Sequence, residues 1–88
     1  MERRLLVMDA DDNVGVLLEE GRSGDRVMYR NDPIKLLDDI EFAHKVALAD
    51  ISVNQPVVKY GHEIGHAEKE IRRGEWVHVH NMGCRRGK

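Results

Sequence analysis

Two histidines separated by a single residue lie in the segment Trp-Val-His-Val-His-Asn that begins at Trp76. Alternation along a β-strand predicts Val77 and Val79 on a core face and the aromatic and imidazole rings of Trp76, His78 and His80 on the other. Imidazoles at i and i+2 are about 7 Å apart on a strand. At that spacing they can converge on one metal ion or one anionic substrate, and the alternative interpretation is a solvated strand face.

A second histidine pair, His62 and His66, fits the H-E-x-x-H pattern of zinc proteases, with Glu63 as the general base. That chemistry needs a helix, so that both histidines share one face. Gly61 and Gly65 would each cost about 1 kcal/mol inside a helix, and a third ligand and a cleft would have to come from a very small chain. The pattern therefore favours a β-rich segment over a zinc protease site.

The length of 88 residues predicts one domain over residues 1–88, with a core too modest to enclose an active site unaided. We therefore expect a module, or a subunit that completes its site with a partner. Fourteen basic and 16 acidic residues give a net charge of −2, so no nucleic-acid partner is expected. The sequence has no apolar run of membrane-spanning length and no recognisable leader, so we expect neither a membrane nor a secretory role. The single cysteine favours a reduced, cytoplasmic protein.

A short helix is predicted near the N-terminus, over residues 13–20. Asp11 or Asp12 can cap its first turn, and Gly21 lies where a C-terminal glycine is expected. The apolar residues of this segment recur at helical spacing: Val14, Leu17 and Leu18. Strands are predicted over residues 4–8, 26–30 and 34–40.

An internal repeat runs through the rest of the chain, because residues 49–58 align with residues 69–78 and residues 21–27 echo the second half of each copy. Each copy has an isoleucine, a turn and an entry into a valine strand. The repeat predicts turn units folded over one another in a small, mostly β domain.

Several segments together resemble the SAF domain of altronate and galactarate dehydratases, over residues 12–81. They are Asp-Asn-Val from Asp12, His-Lys-Val-Ala-Leu-Ala-Asp-Ile from His44, Val-Lys-Tyr-Gly from Val58, Ile-Gly from Ile64 and Gly-Glu-Trp-Val-His-Val-His-Asn from Gly74. The resemblance implies a β-clip fold of short curled strands. It also implies a small subunit beside a larger catalytic one, an arrangement known in sulfolactate sulfo-lyases too. His62, His66 and Cys84 lie outside the family pattern.

Dehydration of a sugar acid requires removal of a proton beside a carboxylate and protonation of a leaving hydroxide. The candidate catalytic residues are His78, His80 and His44, with His78 and His80 also the candidate metal ligands. The candidate substrate-binding residues are Lys45 for the carboxylate, Asn81 for a hydroxyl, and Asp12. Simpler interpretations are a solvated lysine, a structural His44 and a helix-capping Asp12. The metal implied is a divalent ion, Fe or Mn, shared with the larger subunit.

Three functions remain open from the sequence. The leading hypothesis is the small subunit of a sugar-acid hydro-lyase, which is not catalytic alone. The second is the small subunit of a sulfolactate sulfo-lyase, in which sulfite leaves instead of water. The third is a non-catalytic SAF module that binds a carbohydrate or a protein partner.

Overall fold

The regular structure consists of ten short β-strands in the computed structural model, which describes residues 1–84. The strands are β1 (Glu2–Arg3), β2 (Leu5–Leu6), β3 (Val14–Leu17), β4 (Arg26–Tyr29), β5 (Asp32–Lys35), β6 (Lys45–Ala47), β7 (Pro56–Lys59), β8 (His62–Ala67), β9 (Trp76–Val77) and β10 (Met82–Gly83). The prediction of a mostly β fold is therefore confirmed. Within these 84 residues no helix is long and apolar enough to cross a membrane.

The helix predicted over residues 13–20 is wrong, because its apolar residues form β3. All four residues of β3 are buried, and β3 pairs with β2 on one side and β6 on the other. Gly15 lies where a Cβ atom would come within 2.7 Å of the Leu5 side chain, so the close approach of β2 needs a glycine there. A strand buried on both faces carries apolar residues without alternation, which is why its spacing resembled that of a helix.

The other predicted strands are found with altered bounds. β4 places Val27 in the core with Tyr29 half-buried on the same face, as predicted. The strand expected over residues 34–40 begins earlier and ends at Lys35, because a tight turn lets the chain pair with β4 from Asp32 onward. The strand β8 contains the H-E-x-x-H residues, and its two histidines lie about 13 Å apart at the rise of a strand, too far for one zinc ion.

Three sheets build the domain, with strand orders β2-β3-β6-β9, β1-β4-β5 and β10-β8-β7. The four-stranded sheet lies between two hydrophobic cores, because Ala47 of β6 belongs to one core and its neighbour Val46 to the other. The first core, shared with β7 and β8, contains Val14, Ala47, Ile51, Val57, Ala67, Ile71 and Val77. The second core, shared with β4 and β5, contains Leu17, Val27, Ile34, Leu36, Ile40, Val46 and Leu48.

The repeat in the sequence corresponds to four similar turns, which follow Gly21, Ile40, Ile51 and Ile71. The third residue after each of these positions has a left-handed backbone: Gly24 (φ 95°), Ala43 (φ 71°), Asn54 (φ 72°) and Gly74 (φ 93°). In three turns the next side chain accepts a hydrogen bond from the backbone N–H at the start of the turn. These acceptors are Asp25, Gln55 and Glu75, at 2.9, 3.1 and 2.6 Å. The turn that follows Ile40 carries His44 at that position and so departs from the pattern.

Candidate functional site

Four aromatic rings, of His44, Trp76, His78 and His80, gather at one edge of the four-stranded sheet, and we refer to them as the ring cluster. The Trp76 and His78 rings stack with centroids 5.4 Å apart and planes at 10°. The His80 ring lies 4.9 Å from the Trp76 ring on a tilted plane. The His44 ring lies 5.8 Å from Trp76 and 5.7 Å from His78. The structure thus brings together the three histidines that the sequence identified as catalytic candidates.

Strand pairing brings His44 to the other rings. It directly precedes β6, and β6 pairs with β9 so that Val46 lies opposite Trp76. The His44 carbonyl accepts a hydrogen bond from Leu17 N–H at 3.0 Å, which fixes the backbone beside β3. The preceding Ala43 has a left-handed φ of 71°, a conformation that costs a residue with a Cβ about 1–2 kcal/mol. The backbone of this turn is therefore strained. The side chain of its last residue, His44, faces the Trp76 and His78 rings.

A turn, and not an extended strand, carries His78 and His80. The prediction of a strand continuing to His80 is wrong, because β9 ends at Val77 and the Val79 side chain is 73% exposed. The chain reverses as the N–H groups of Asn81 and Met82 donate to the His78 carbonyl at 3.1 and 2.9 Å. The imidazoles consequently meet the Trp76 ring through this reversal and not through alternation along a strand.

Asn81 holds the turn from inside. Asn81 is only 1% exposed. Its Oδ1 atom accepts a hydrogen bond from His78 N–H at 3.0 Å, and its Nδ2 group donates to the Trp76 carbonyl at 2.9 Å. The side chain thus fixes the backbone of both ring-bearing residues, while its predicted contact with a substrate hydroxyl stays a prediction.

Asp12 stabilises a different part of the molecule, the hairpin turn between β7 and β8. The residue is 7% exposed, and its carboxylate accepts hydrogen bonds from Gly61 N–H at 2.8 Å and Asp9 N–H at 3.2 Å. Burial alone would raise the pKa of Asp12, but backbone N–H groups, that of Gly61 first, outweigh burial and lower this pKa below its ordinary value. Because no helix follows it, the helix-cap interpretation is wrong. Its role toward substrate remains a prediction.

Lys45 lies on the face of β6 opposite to Val46, and therefore on the side of the first core. It is half-buried, and register places it beside Val16 and Val77. Burial lowers the pKa of the Lys45 ammonium, and the positive charge of Lys59 lowers this pKa further. Its predicted role toward a substrate carboxylate is untested. Lys45 is not part of the ring cluster, since Val46 and Trp76 point to the other core.

An open cleft of about 310 Å³ lies beside the ring cluster, with His44 and Trp76 in its wall. Its remaining lining residues are Glu20, Arg22, Asp39, Ile40 and Glu41. The Glu41 carboxylate is 3.7 Å from Nε2 of His44, so it forms an ion pair with that imidazole when the ring is protonated. Sequence reasoning missed these carboxylates. Glu41 is three residues before His44, so its spacing could have indicated this pair, whereas Glu20 reaches the cleft only through the fold.

The ring cluster supplies only part of a metal site. Among residues 1–84 no group of three or more histidine, cysteine, aspartate or glutamate side chains is placed to hold a metal ion. Neighbouring imidazoles are nonetheless suitable ligands for a divalent transition metal. A metal bound at these imidazoles would therefore need further ligands from outside the described residues. His62 and His66 lie on β8, outside the ring cluster.

Comparison with known proteins gives a family for this chain. Residues 3–85 match the model of the altronate/galactarate dehydratase SAF domain. The altronate dehydratase of Bacillus subtilis (strain 168) is 44% identical over 70 residues, and that of Escherichia coli (strain K12) is 41% identical over 70 residues. Each match covers 80% of this chain but only 14% of the relative.

A third relative is similar to this chain in sequence over nearly the whole length of both. The (2R)-sulfolactate sulfo-lyase subunit alpha of Chromohalobacter salexigens is 36% identical over 88 residues, with 92% of this chain and 94% of the relative covered. The resemblance inferred from the sequence motifs is thus confirmed by a family match over nearly the whole chain. The chain belongs to the altronate/galactarate dehydratase SAF domain family.

Proposed function

We propose that this chain is the small SAF-domain subunit of a sugar-acid dehydratase, in which the ring cluster lines a site completed by a larger catalytic subunit. The observation that carries the proposal is the convergence of three imidazoles and an indole beside an open cleft. The matched residues cover 14% of the length of the altronate dehydratases, which supports a site with contributions from elsewhere.

The chemistry proposed for the ring cluster is proton transfer. Elimination of water from a sugar acid removes the proton from the carbon beside the carboxylate and breaks the bond from the β-carbon to its hydroxyl oxygen. The electron pair of the C–H bond forms a double bond between these two carbons, and a proton is delivered to the leaving oxygen. Imidazole is suited to either transfer at neutral pH. His44, with Glu41 at 3.7 Å, is the candidate for the acid, and His78 and His80 are candidates for the base.

The remaining candidates orient the substrate and the rings. Lys45 provides a positive charge for the substrate carboxylate. Asn81 acts through the turn that it holds, and Asp12 through the β7–β8 hairpin. A divalent metal, Fe or Mn, would be held mainly by the larger subunit, with His78 and His80 as this chain's candidate ligands. A histidine that binds the metal is not the base, because its lone pair is then occupied. When bound, such an ion stabilises negative charge that develops on the carboxylate during proton removal.

The test is reconstitution with the larger subunit and assay of altronate and galactarate. We expect His78→Ala, His80→Ala and His44→Ala each to lower kcat by about 10²-fold or more, the usual contribution of a general acid or base. His62→Ala is the matched control, since His62 is an exposed histidine of β8 outside the ring cluster. Full activity in both His78→Ala and His80→Ala would contradict the assignment of the site.

A second candidate is the small subunit of a sulfolactate sulfo-lyase, favoured by the match to 94% of that alpha subunit. The two candidates differ in the leaving group, which is sulfite in one and water in the other. Incubation of the reconstituted pair with (2R)-sulfolactate, followed by measurement of sulfite, distinguishes them. Sulfite release without activity on altronate or galactarate would replace the first candidate by the second.

A further inference from the structure

Two lysines from different sheets lie on the faces of their strands that cover the first core. Lys45 lies two residues before Ala47 on β6, so strand alternation places both side chains on the first-core face. Lys59 lies two residues after the core residue Val57 on β7, so alternation places it on the first-core face of the other sheet. The register irregularity at this point leaves an unpaired residue on β8, so the alternation along β7 is kept.

Hydrogen bonds hold the two sheets together where the lysines lie. Asn13, directly before β3, donates its backbone N–H to the Val58 carbonyl at 3.1 Å. Its Oδ1 atom accepts the Val58 N–H at 2.7 Å. β3 then runs alongside β6, with Val16 opposite Lys45. The positions of both lysines are therefore set by paired backbone and not by mobile loops.

The two ammonium groups have no negative partner in the part of the chain that the structure describes. Within residues 1–84, neither Lys45 nor Lys59 forms an ion pair with a carboxylate. Both residues are half-buried, and the Lys59 ammonium lies 4.9 Å from the centroid of the Tyr60 ring. Burial, and after it the positive charge of Lys59, lowers the pKa of Lys45, so the two ammonium groups repel each other. An anion between them would remove that repulsion.

We propose that Lys45 and Lys59 together bind one carboxylate group of a small organic acid. Two ammonium point charges can each donate to one oxygen of a carboxylate without the planar fork that arginine provides. The identity of the acid as a sugar acid rests on the proposed function. The edge strand β9 is only two residues long, with Val77 on the side of the lysines and Trp76 on the side of the rings, so a ligand can extend around it.

The test is an NMR titration of the ¹⁵N-labelled full chain with galactarate at pH 7. We expect saturable shifts at the amides of β6 and β7, and no such shifts with galactitol, which has the same carbon skeleton without carboxylates. Lys45→Met and Lys59→Met, which keep an aliphatic stem, should each weaken binding about tenfold or more, as loss of a charged hydrogen bond does. Lys69→Met is the control, because Lys69 is exposed and lies outside both strands.

Three results would overturn the proposal: shifts that do not saturate, equal weakening by Lys69→Met, or sulfate that binds as tightly as galactarate. Lys45→Gln and Lys59→Gln repeat the comparison if a methionine variant fails to fold, as judged from its amide spectrum. One combined outcome is that the lysine variants lose galactarate binding while the reconstituted pair is inactive on all sugar acids. That combination would refute the proposed function and leave the carboxylate site intact. The converse is a pair whose activity requires His78 but whose small subunit binds no carboxylate. That result would refute only the lysine site.

Discussion

Replacement of Asn81 by alanine tests how the ring cluster is held. The side chain is 1% exposed and bonds the His78 N–H and the Trp76 carbonyl at 3.0 and 2.9 Å. Its removal leaves two backbone groups without a partner, at a cost of about 1–3 kcal/mol for each buried group. Because the neighbouring turn is partly open to water, we expect the free energy of unfolding to fall by about 2–4 kcal/mol in total.

Urea denaturation followed by circular dichroism measures this loss directly. In a domain of this size, each kcal/mol corresponds to about 4–8 °C in Tm, so thermal unfolding should show a large shift as well. Asn81→Asp separates the two hydrogen bonds, since it keeps an acceptor for His78 N–H but places a carboxylate oxygen against the Trp76 carbonyl. We expect Asn81→Asp to recover only part of the stability. Val79→Ala is the control in the same turn, because that side chain is largely exposed.

The reasoning would be refuted by an Asn81→Ala protein within about 0.5 kcal/mol of the parent, the range of an ordinary surface substitution. A stable Asn81→Ala variant whose reconstituted enzyme has a raised KM would instead assign the side chain directly to the substrate. A destabilised variant with altered ring resonances of Trp76 and His78 would support its role in positioning. The two roles are thus separated by stability and kinetics measured on the same protein.

Three further predictions concern the turns. Gly74→Ala should destabilise the domain by about 3 kcal/mol or more in urea, whereas Gly24→Ala should cost only about 1–2 kcal/mol. Both glycines have left-handed backbones, but only at Gly74 would a Cβ contact a backbone oxygen, that of Lys35, while nothing lies within 4 Å at Gly24; equal costs would contradict the contact. Ala43→Gly should stabilise the domain by about 0.5–1 kcal/mol in the same assay, because relief of the left-handed strain exceeds the entropy cost of glycine; a loss of stability would contradict the strain. The Arg22 N–H first, and then the Arg3 guanidinium, lower the pKa of Asp25 from 3.8 to about 2. The contribution of Asp25 to the free energy of unfolding is therefore complete above its pKa in the unfolded chain and is lost as pH falls through about 2. The Tm deficit of Asp25→Asn should therefore be full at pH 5–7 and vanish toward pH 2; a deficit independent of pH would contradict the sign.

The local chemistry of the sequence was sufficient for much of this protein. Strand-forming valines, turn residues at regular intervals and the absence of long helical segments specify a mostly β domain, because each is a property of neighbouring residues. The motifs at His44 and at His78–His80 likewise identify the side chains that form the ring cluster, and they agree with the family match. The left-handed position of Asn54 follows the same turn pattern as Gly24 and Gly74.

Only the tertiary structure decided the rest. Residues 14–17 form a strand and not a helix because sheets cover both of their faces, which no local period records. His44 meets Trp76 because β6 and β9 pair, and Val79 is exposed because Asn81 reverses the chain. Lys45 and Lys59 lie on the first-core faces of their strands because two sheets enclose one core. Each of these outcomes depends on contacts between segments far apart in the chain, and such contacts are fixed by packing and not by the preferences of neighbouring residues.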